Sequence, residues 1–155
     1  MTIKNTFNFQ FNLLLISLLL LQGCALKPIS SEFDYIPIAH EKITPEALGN
    51  QLVLIHNGAN ILHKADNTAR LNIWINNKPL GQLRGSEYVI LKLEKGTYSF
   101  RVQHIDVVNM RSTHEVTIGE NTKVIRIKPT LTSNKLTVPN ELPKNFEKYT
   151  YAVKR

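Results

Sequence analysis

The chain has 155 residues and a formal net charge of +7 at pH 7. It contains a single cysteine, which excludes a disulfide within the chain, so packing alone must stabilise the fold. Its lysines and arginines are spread along the sequence without a run, which favours a solvated basic surface. The alternative for such a basic chain is a face that contacts anionic lipids, lipopolysaccharide or peptidoglycan carboxylates.

The first residues have the composition of a secretory signal peptide. Residues 1–12 carry Lys4 as their only charged side chain, and residues 13–21 are all leucine or isoleucine except Ser17. A helix that spans a bilayer needs about 20 apolar residues, so this core is too short for a good stop-transfer anchor. We therefore predict a helical signal peptide over residues 1–23, which leaves enough chain for one domain.

The tetrapeptide Leu21-Gln22-Gly23-Cys24 follows this apolar core. It resembles the lipobox of bacterial lipoproteins, with Leu, Gly and Cys at the matching positions and Gln22 in place of the usual small residue. The resemblance implies cleavage between Gly23 and Cys24, a diacylglyceryl thioether on Cys24 and acylation of the new amino terminus. A chain processed in this way is expected to incorporate palmitate. Three acyl chains anchor a protein far more firmly than one, whose binding is marginal. An ordinary signal peptide with a chance cysteine is the alternative.

Ala25 follows the predicted lipidation site. In Gram-negative lipoproteins, a residue other than Asp at this position permits export to the outer membrane. The resemblance therefore implies a protein anchored in the outer membrane and facing the periplasm, with the inner membrane as the alternative. That compartment excludes nucleic acid as a partner.

Residues 24–50 have the composition of a lipid-anchored tether. They contain Pro28, Pro37 and Pro45, and their apolar residues show no sustained period. Thr44 and Pro45 are typical of the start of a short helical turn. The alternative is that Phe33–Ile36 lies on the following domain as an edge strand.

Residues 51–129 show the alternation of apolar and polar side chains that is typical of an antiparallel sheet with one buried face. This pattern, with no long helix after the signal, predicts an all-β, antiparallel β-sandwich of about seven strands. Val116 and Ile118 are expected to face Ile125 and Ile127 across the last hairpin. The predicted strands lie within Leu52–Ile55, Leu71–Ile75, Leu80–Leu83, Glu87–Leu93, Thr97–Val102, Arg111–Ile118 and Thr122–Pro129.

Residues 130–155 form a predicted C-terminal extension. They are mostly polar and contain Pro139 and Pro143. Phe146–Val153 has one last alternation, which indicates either an edge strand or a frayed tail. We therefore place the domain at residues 51–129 and expect it to fold without the flanking segments.

The stretches Asn76–Gly81, Leu93–Val102 and Val116–Ile127 place turn residues between short strands at regular intervals. Over residues 70–129 this pattern resembles a PEGA-type domain, and also small bacterial lipoproteins that carry domains of unknown function. Asn77 and Lys95 depart from the Gly and Pro that the family has there. The resemblance implies a transthyretin-like or carbohydrate-binding-like sandwich, and it brings no functional residues with it.

The sequence contains no recognisable catalytic motif. Gly-x-Ser-x-Gly, phosphate-binding glycine loops and dinucleotide fingerprints are missing from it, and its carboxylates are isolated. None of the five histidines stands at a metal-ligand spacing, although His104 and His114 lie on neighbouring predicted strands and can pair across a hairpin. We therefore predict that the protein is not an enzyme and uses no cofactor or metal.

Trp74 indicates a candidate binding face. It alternates with the apolar residues of its predicted strand, so it is expected to point outward with Asn72 and Asn76. Lys78 at the hairpin tip and Arg84 after the next strand add positive charge. Such a face suits a glycan or an acidic protein loop. The alternative is that a second sheet or the tether covers Trp74, as is usual for a lone tryptophan in a small domain.

These features predict a lipid-anchored, non-catalytic β-sandwich that acts as a structural or adaptor module for a protein partner or a cell-wall component. One alternative is a carbohydrate-binding module that uses the Trp74 face. Another is an outer-membrane lipoprotein of a secretion system, since type VI machines contain a small transthyretin-like lipoprotein.

Overall fold

A computed structural model describes residues 26–59, 69–106 and 108–154. The predicted signal peptide, Cys24 and most of the loop between residues 59 and 70 lie outside the described residues. The described part of the chain contains no helix long and apolar enough to cross a membrane. It forms two short 3₁₀ helices, His40–Lys42 and Phe146–Lys148, and nine strands. The strands are β1 (Leu52–Asn57), β2 (Leu71–Ile75), β3 (Lys78–Leu83), β4 (Glu87–Lys92), β5 (Gly96–Ile105), β6 (Asn109–Ile118), β7 (Val124–Pro129), β8 (Asn134–Thr137) and β9 (Thr150–Tyr151).

The strands form two sheets that pack face to face as a sandwich, which confirms the predicted all-β architecture. One sheet has five strands in the order β8-β7-β1-β4-β9, and the other has four in the order β3-β2-β5-β6. All pairs in the four-stranded sheet are antiparallel, whereas β1 pairs in parallel with β7 and β4 pairs in parallel with β9. The five-stranded sheet is therefore mixed.

The main core lies between the two sheets. The alternation in β2 places Leu71, Ile73 and Ile75 in this core, and each is at most 1 % exposed. Phe100 and Val102 enter it from β5 and are fully buried, as their period of two predicts. The inner faces predicted for β2 and β5 are thus confirmed, and the intervening residues of both strands point away from the core.

The turn at Gly119 joins the two sheets and does not form the predicted hairpin. β6 belongs to the four-stranded sheet and β7 to the five-stranded sheet. Val116 and Ile118 share the main core with Ile125 and Ile127, but across the interior of the sandwich. The hairpin prediction is wrong because alternation identifies the buried face of a strand and does not identify its pairing partner.

A second hydrophobic layer covers the outer face of the five-stranded sheet. Leu54, Tyr88, Ile90 and Val124 belong to this outer layer, and each is at most 1 % exposed. Since β1 is buried on both faces, it has a continuous apolar run in place of alternation. The covering residues come from residues 26–50 (Ile36, Ile38, Ile43, Leu48) and from the C-terminal extension (Leu142, Phe146, Tyr149, Tyr151).

Residues 26–50, predicted as a tether, lie against the sandwich. The amide of Glu32 donates to the carbonyl oxygen of Pro79 over 3.0 Å, and the hydroxyl of Tyr35 donates to the carbonyl oxygen of Leu80. These bonds cover the edge of β3 before the segment continues onto the outer layer. The sequence left open whether this segment is a free tether or lies on the domain as an edge strand. In the structure it lies on the domain, but residues 26–50 form no strand there.

Gly81 allows this close approach. It lies on β3 next to a β-bulge and has a φ of +115°, which residues with a side chain rarely adopt. A Cβ atom at this position would lie 2.8 Å from the hydroxyl oxygen of Tyr35. The missing side chain therefore makes room for the N-terminal segment.

The C-terminal extension is part of the sandwich. β8 pairs with β7, and β9 pairs with β4, so the extension supplies both edges of the five-stranded sheet. Of the two alternatives for Phe146–Val153, the edge strand is the one observed, with its paired part limited to Thr150–Tyr151. The predicted boundary at residue 129 therefore cuts through the fold.

Candidate functional site

The outer face of the four-stranded sheet carries Trp74. This residue of β2 is opposite Arg101 on β5, and Gln103 on β5 is opposite Arg111 on β6. Opposite residues of an antiparallel pair share one face, so these four side chains lie together. They line a surface pocket of about 200 Å³. We call these four residues the pocket face.

The pocket face is positively charged. Among the described residues, its lining comprises two guanidinium groups, one amide and one indole ring, with no carboxylate. Arg101 and Arg111 are exposed, whereas Trp74 and Gln103 are half-buried. Because a guanidinium donates two parallel hydrogen bonds to a carboxylate or a phosphate, this arrangement suits an anionic group.

Arg101 stacks on Trp74. The Cζ atom of its guanidinium lies 4.6 Å from the centroid of the Trp74 ring, within the range of a cation–π interaction. The contact restrains the guanidinium before an anion binds, which reduces the conformational entropy lost on binding. The same contact occupies a face of the ring, so a sugar can stack there only if Arg101 moves.

Asn72 belongs to the same face but is covered by the N-terminal segment and is only 2 % exposed. Its Nδ2 donates to the carbonyl oxygen of Lys27 over 2.8 Å. The Nε2 of Gln82 donates to Oδ1 of Asn72 over 3.0 Å and to the carbonyl oxygen of Leu26 over 3.1 Å. These two amides hold the start of the described chain on the outer face of the four-stranded sheet, beside the pocket face.

The structure does not bring the other predicted residues into the pocket. Asn76 lies in the turn between β2 and β3 with a φ of 49°, where its Oδ1 accepts a hydrogen bond from the backbone of β5 over 2.8 Å. Lys78 is opposite Ile75 and so lies on the other side of the sheet, with its Nζ 4.8 Å from the centroid of the Phe33 ring. Arg84 follows β3 at the end away from this turn.

Sequence reasoning leaves Arg101, Gln103 and Arg111 out of the candidate face. The alternation of β5 places Arg101 and Gln103 outward, but the sequence does not reveal that β2 is the neighbour of β5. Only the register of these two strands brings Arg101 opposite Trp74. Such a register depends on strand order, which a local pattern does not contain.

The histidines do not assemble a metal site in the part of the chain that the structure describes. His104 and His114 lie on the adjacent strands β5 and β6, but His114 is opposite Phe100, four residues from His104. The Nδ1 of His104 lies 2.8 Å from Oδ1 of Asn134, and the Nε2 of His114 lies 2.9 Å from Oγ of Ser112. No group of three or more histidine, cysteine or acidic side chains that could hold a metal ion occurs among the described residues.

His56 on β1 is a buried titratable group. It is 1 % exposed, its ring centroid lies 5.3 Å from that of Tyr149, and its Nδ1 has no hydrogen-bond partner among the described residues. Burial, together with the nearby charge of Arg126, lowers the pKa of His56 from 6.5 to about 4. The folded chain therefore keeps this ring neutral at pH values at which the unfolded chain protonates it.

We expect the free energy of unfolding to fall as the pH is lowered from 6.5 to about 4. Within this window the unfolded chain binds a proton at His56 and the folded chain does not. The contribution of His56 to the free energy of unfolding, about 3 kcal/mol, is therefore present above pH 6.5 and lost by about pH 4. Urea titrations across the window measure the loss. The His56→Gln chain is the control and should have a flatter profile; parallel profiles would contradict the assignment.

No protein-family model matches the chain, and comparison with curated proteins and with solved structures gave no significant match.

Proposed function

We propose that the chain is a lipid-anchored, non-catalytic protein of the bacterial cell envelope, exposed on the periplasmic side of the outer membrane. In this proposal the sandwich is an adaptor module that docks an acidic component of the envelope. The lipobox-like sequence that ends at Cys24 supports the anchor. The single observation that carries the docking role is the pocket face, where two guanidinium groups and an indole ring line one pocket and no described carboxylate joins them.

The first described residues and the pocket face lie on the same side of the molecule. Leu26 is 6 % exposed and is bonded to Gln82 on the outer face of the four-stranded sheet. Cys24 precedes Leu26 by two residues, and two residues of extended chain reach at most about 7 Å. Trp74 lies two residues after Asn72 on the same face of β2, which separates their Cα atoms by about 7 Å. The pocket face is thus expected close to the membrane surface rather than at the end of a long tether.

The chemistry of the pocket face favours carboxylate groups as its ligand. The peptide stems of peptidoglycan and the acidic loops of neighbouring proteins both carry such groups. A neutral sugar is a weaker candidate because the guanidinium of Arg101, 4.6 Å from the ring centroid, occupies the position on Trp74 that stacking requires.

We expect Arg101→Gln to weaken binding of the full chain to purified peptidoglycan by about tenfold or more. A hydrogen bond to a charged group contributes about 1.5–3 kcal/mol, and about 1.4 kcal/mol corresponds to tenfold. Cosedimentation at two ionic strengths measures the effect, which should shrink as salt rises. Arg84→Gln is the matched control, since it removes the same charge outside the pocket and should leave binding unchanged.

The other outcomes separate the rival ligands. Binding that resists salt, survives Arg101→Gln and is lost in Trp74→Ala identifies a neutral sugar and refutes the acidic ligand. If the unsubstituted chain does not bind peptidoglycan, a photoreactive residue at position 103 should capture an acidic protein in cells, and Arg101→Gln should abolish that capture. Equal loss of binding in Arg101→Gln and Arg84→Gln would show only a diffuse charge effect and would contradict the docking role.

A further inference from the structure

In the part of the chain that the structure describes, the ten-residue strand β6 forms an unpaired edge of the four-stranded sheet. Among the described strands it pairs only with β5. The opposite edge, β3, is covered by the N-terminal segment, which bonds to Pro79 and Leu80. A sheet edge presents backbone N–H and C=O groups that can pair with a strand of another molecule.

β6 lacks the proline, the lysine and the bulge with which many proteins protect such edges. Its sequence, Asn-Met-Arg-Ser-Thr-His-Glu-Val-Thr-Ile, contains no proline and no lysine. Its register with β5 continues over ten residue pairs without a bulge. Regular, unprotected edges of this kind are the ones that accept a further strand.

The sequence of β6 is complementary to itself about Thr113. When two copies pair antiparallel with Thr113 opposite Thr113, Arg111 lies opposite Glu115 of the partner subunit, and Glu115 lies opposite the partner's Arg111. Both charges are then matched by the opposite charge. The other pairs also combine side chains of like character: Met110 with Val116, Ser112 with His114, and Asn109 with Thr117.

Among the neighbouring two-fold registers, only this one matches the charges. A two-fold axis at Arg111 or at Glu115 places like charges opposite each other, which destabilises a strand pair. An axis at Ser112 or at His114 leaves Arg111 and Glu115 opposite residues without a charge. Arg111 and Glu115 are exposed, and neither makes an ion pair within the described chain, so both can reach a second copy.

We propose that the chain forms a homodimer in which β6 pairs antiparallel with the partner's β6 about a two-fold axis at Thr113. The two four-stranded sheets become one sheet of eight strands. Since the axis is perpendicular to this sheet, the pocket faces of both subunits lie on the same side. Arg111 lies at the boundary between the pocket face and the dimer interface, whereas Arg101 lies one strand further in.

The dimer is also compatible with the anchor, a point that rests on the proposed function. Gln82 and Asn72 hold residues 26–27 on the outer face of the four-stranded sheet. In the dimer, both chains therefore begin on the same side of the eight-stranded sheet, so both lipid anchors can enter one membrane.

Disulfide crosslinking of the full chain tests the dimer. The two Thr113 Cα atoms are expected about 4.5–5.5 Å apart, a separation that a disulfide can bridge. Thr113→Cys should give a crosslinked dimer on mild oxidation of membranes, and reduction should reverse it. Thr117→Cys is the matched control, because Thr117 is exposed on the same strand and face. Its two copies lie about 26 Å apart in the dimer, so it should not crosslink.

Charge reversal gives a second measurement. Glu115→Arg, added to the Thr113→Cys chain, places like charges opposite each other in both ion pairs and should lower crosslinking about tenfold. Adding Arg111→Glu exchanges the charges and should restore it. The proposal is overturned if Thr113→Cys crosslinks no better than Thr117→Cys, or if the exchange fails to restore crosslinking. Thr113→Cys and Glu115→Arg leave both pocket guanidinium groups in place, so with these chains loss of the dimer and loss of acidic binding are distinguishable. Arg111→Glu also removes a guanidinium from the pocket face, so it is assessed by crosslinking alone.

Discussion

A chain shortened to residues 51–129 is expected to lose its fold. Alternation predicts this range as a domain, but both flanking segments cover its outer layer. Their removal exposes Leu54, Tyr88, Ile90 and Val124, each at most 1 % exposed in the complete chain. At about 1.5–3 kcal/mol for each large apolar side chain, the loss is about 6 kcal/mol or more. The whole stability of a natural domain is about 5–15 kcal/mol, so little would remain.

Thermal unfolding followed by circular dichroism compares this chain with a control that spans residues 26–155. The control should unfold in one cooperative transition. The shorter chain should show no cooperative transition and should bind a dye that reports exposed apolar surface. A cooperative transition of the shorter chain at a similar temperature would contradict the structural role of the two flanking segments.

The central strands could be predicted because each has one face in the core. Leu71, Ile73 and Ile75 alternate with Asn72 and Trp74, so the local pattern alone separates inside from outside. The same holds for β5, where burial of Phe100 and Val102 confirms the predicted face. Turn residues between these strands then limit where each strand ends.

The outer layer could not be predicted, because its contacts join parts of the chain that are far apart in sequence. Ile36 and Ile38 show no period, since they lie in an irregular segment that packs on Tyr88 and Ile90. The apolar run of β1 indicates burial on both faces, but it does not identify what covers the second face. A segment rich in proline therefore resembles a tether in sequence, although it packs like part of the domain.

Only part of the candidate site could be predicted from the sequence. The outward direction of Trp74 follows from alternation, and the structure places it half-buried on the outer face. Asn72 shares that face, yet it bonds to the backbone of Lys27 and is buried. Arg101 enters the site through the pairing of β2 with β5. A local pattern is thus enough to predict the outward position of Trp74, whereas the position of Arg101 beside it depends on strand order.

Replacement of Cys24 by serine is expected to abolish membrane anchoring completely. The serine hydroxyl cannot form the thioether that lipobox processing requires, so the chain would receive none of its acyl chains. Each acyl chain contributes about 0.8 kcal/mol per buried CH₂, so their loss removes the dominant attraction to the membrane. The basic pocket face alone should give at most a contact that salt disrupts.

Metabolic labelling with radioactive palmitate, followed by carbonate extraction of the membranes, tests the anchor on which the functional account depends. The unsubstituted chain and a Gln22→Ala control, which keeps Cys24 and supplies a usual lipobox residue, should both incorporate label and stay with the membranes. Cys24→Ser should incorporate no label and appear in the soluble fraction. A Cys24→Ser chain that still carries label and resists extraction would contradict the account.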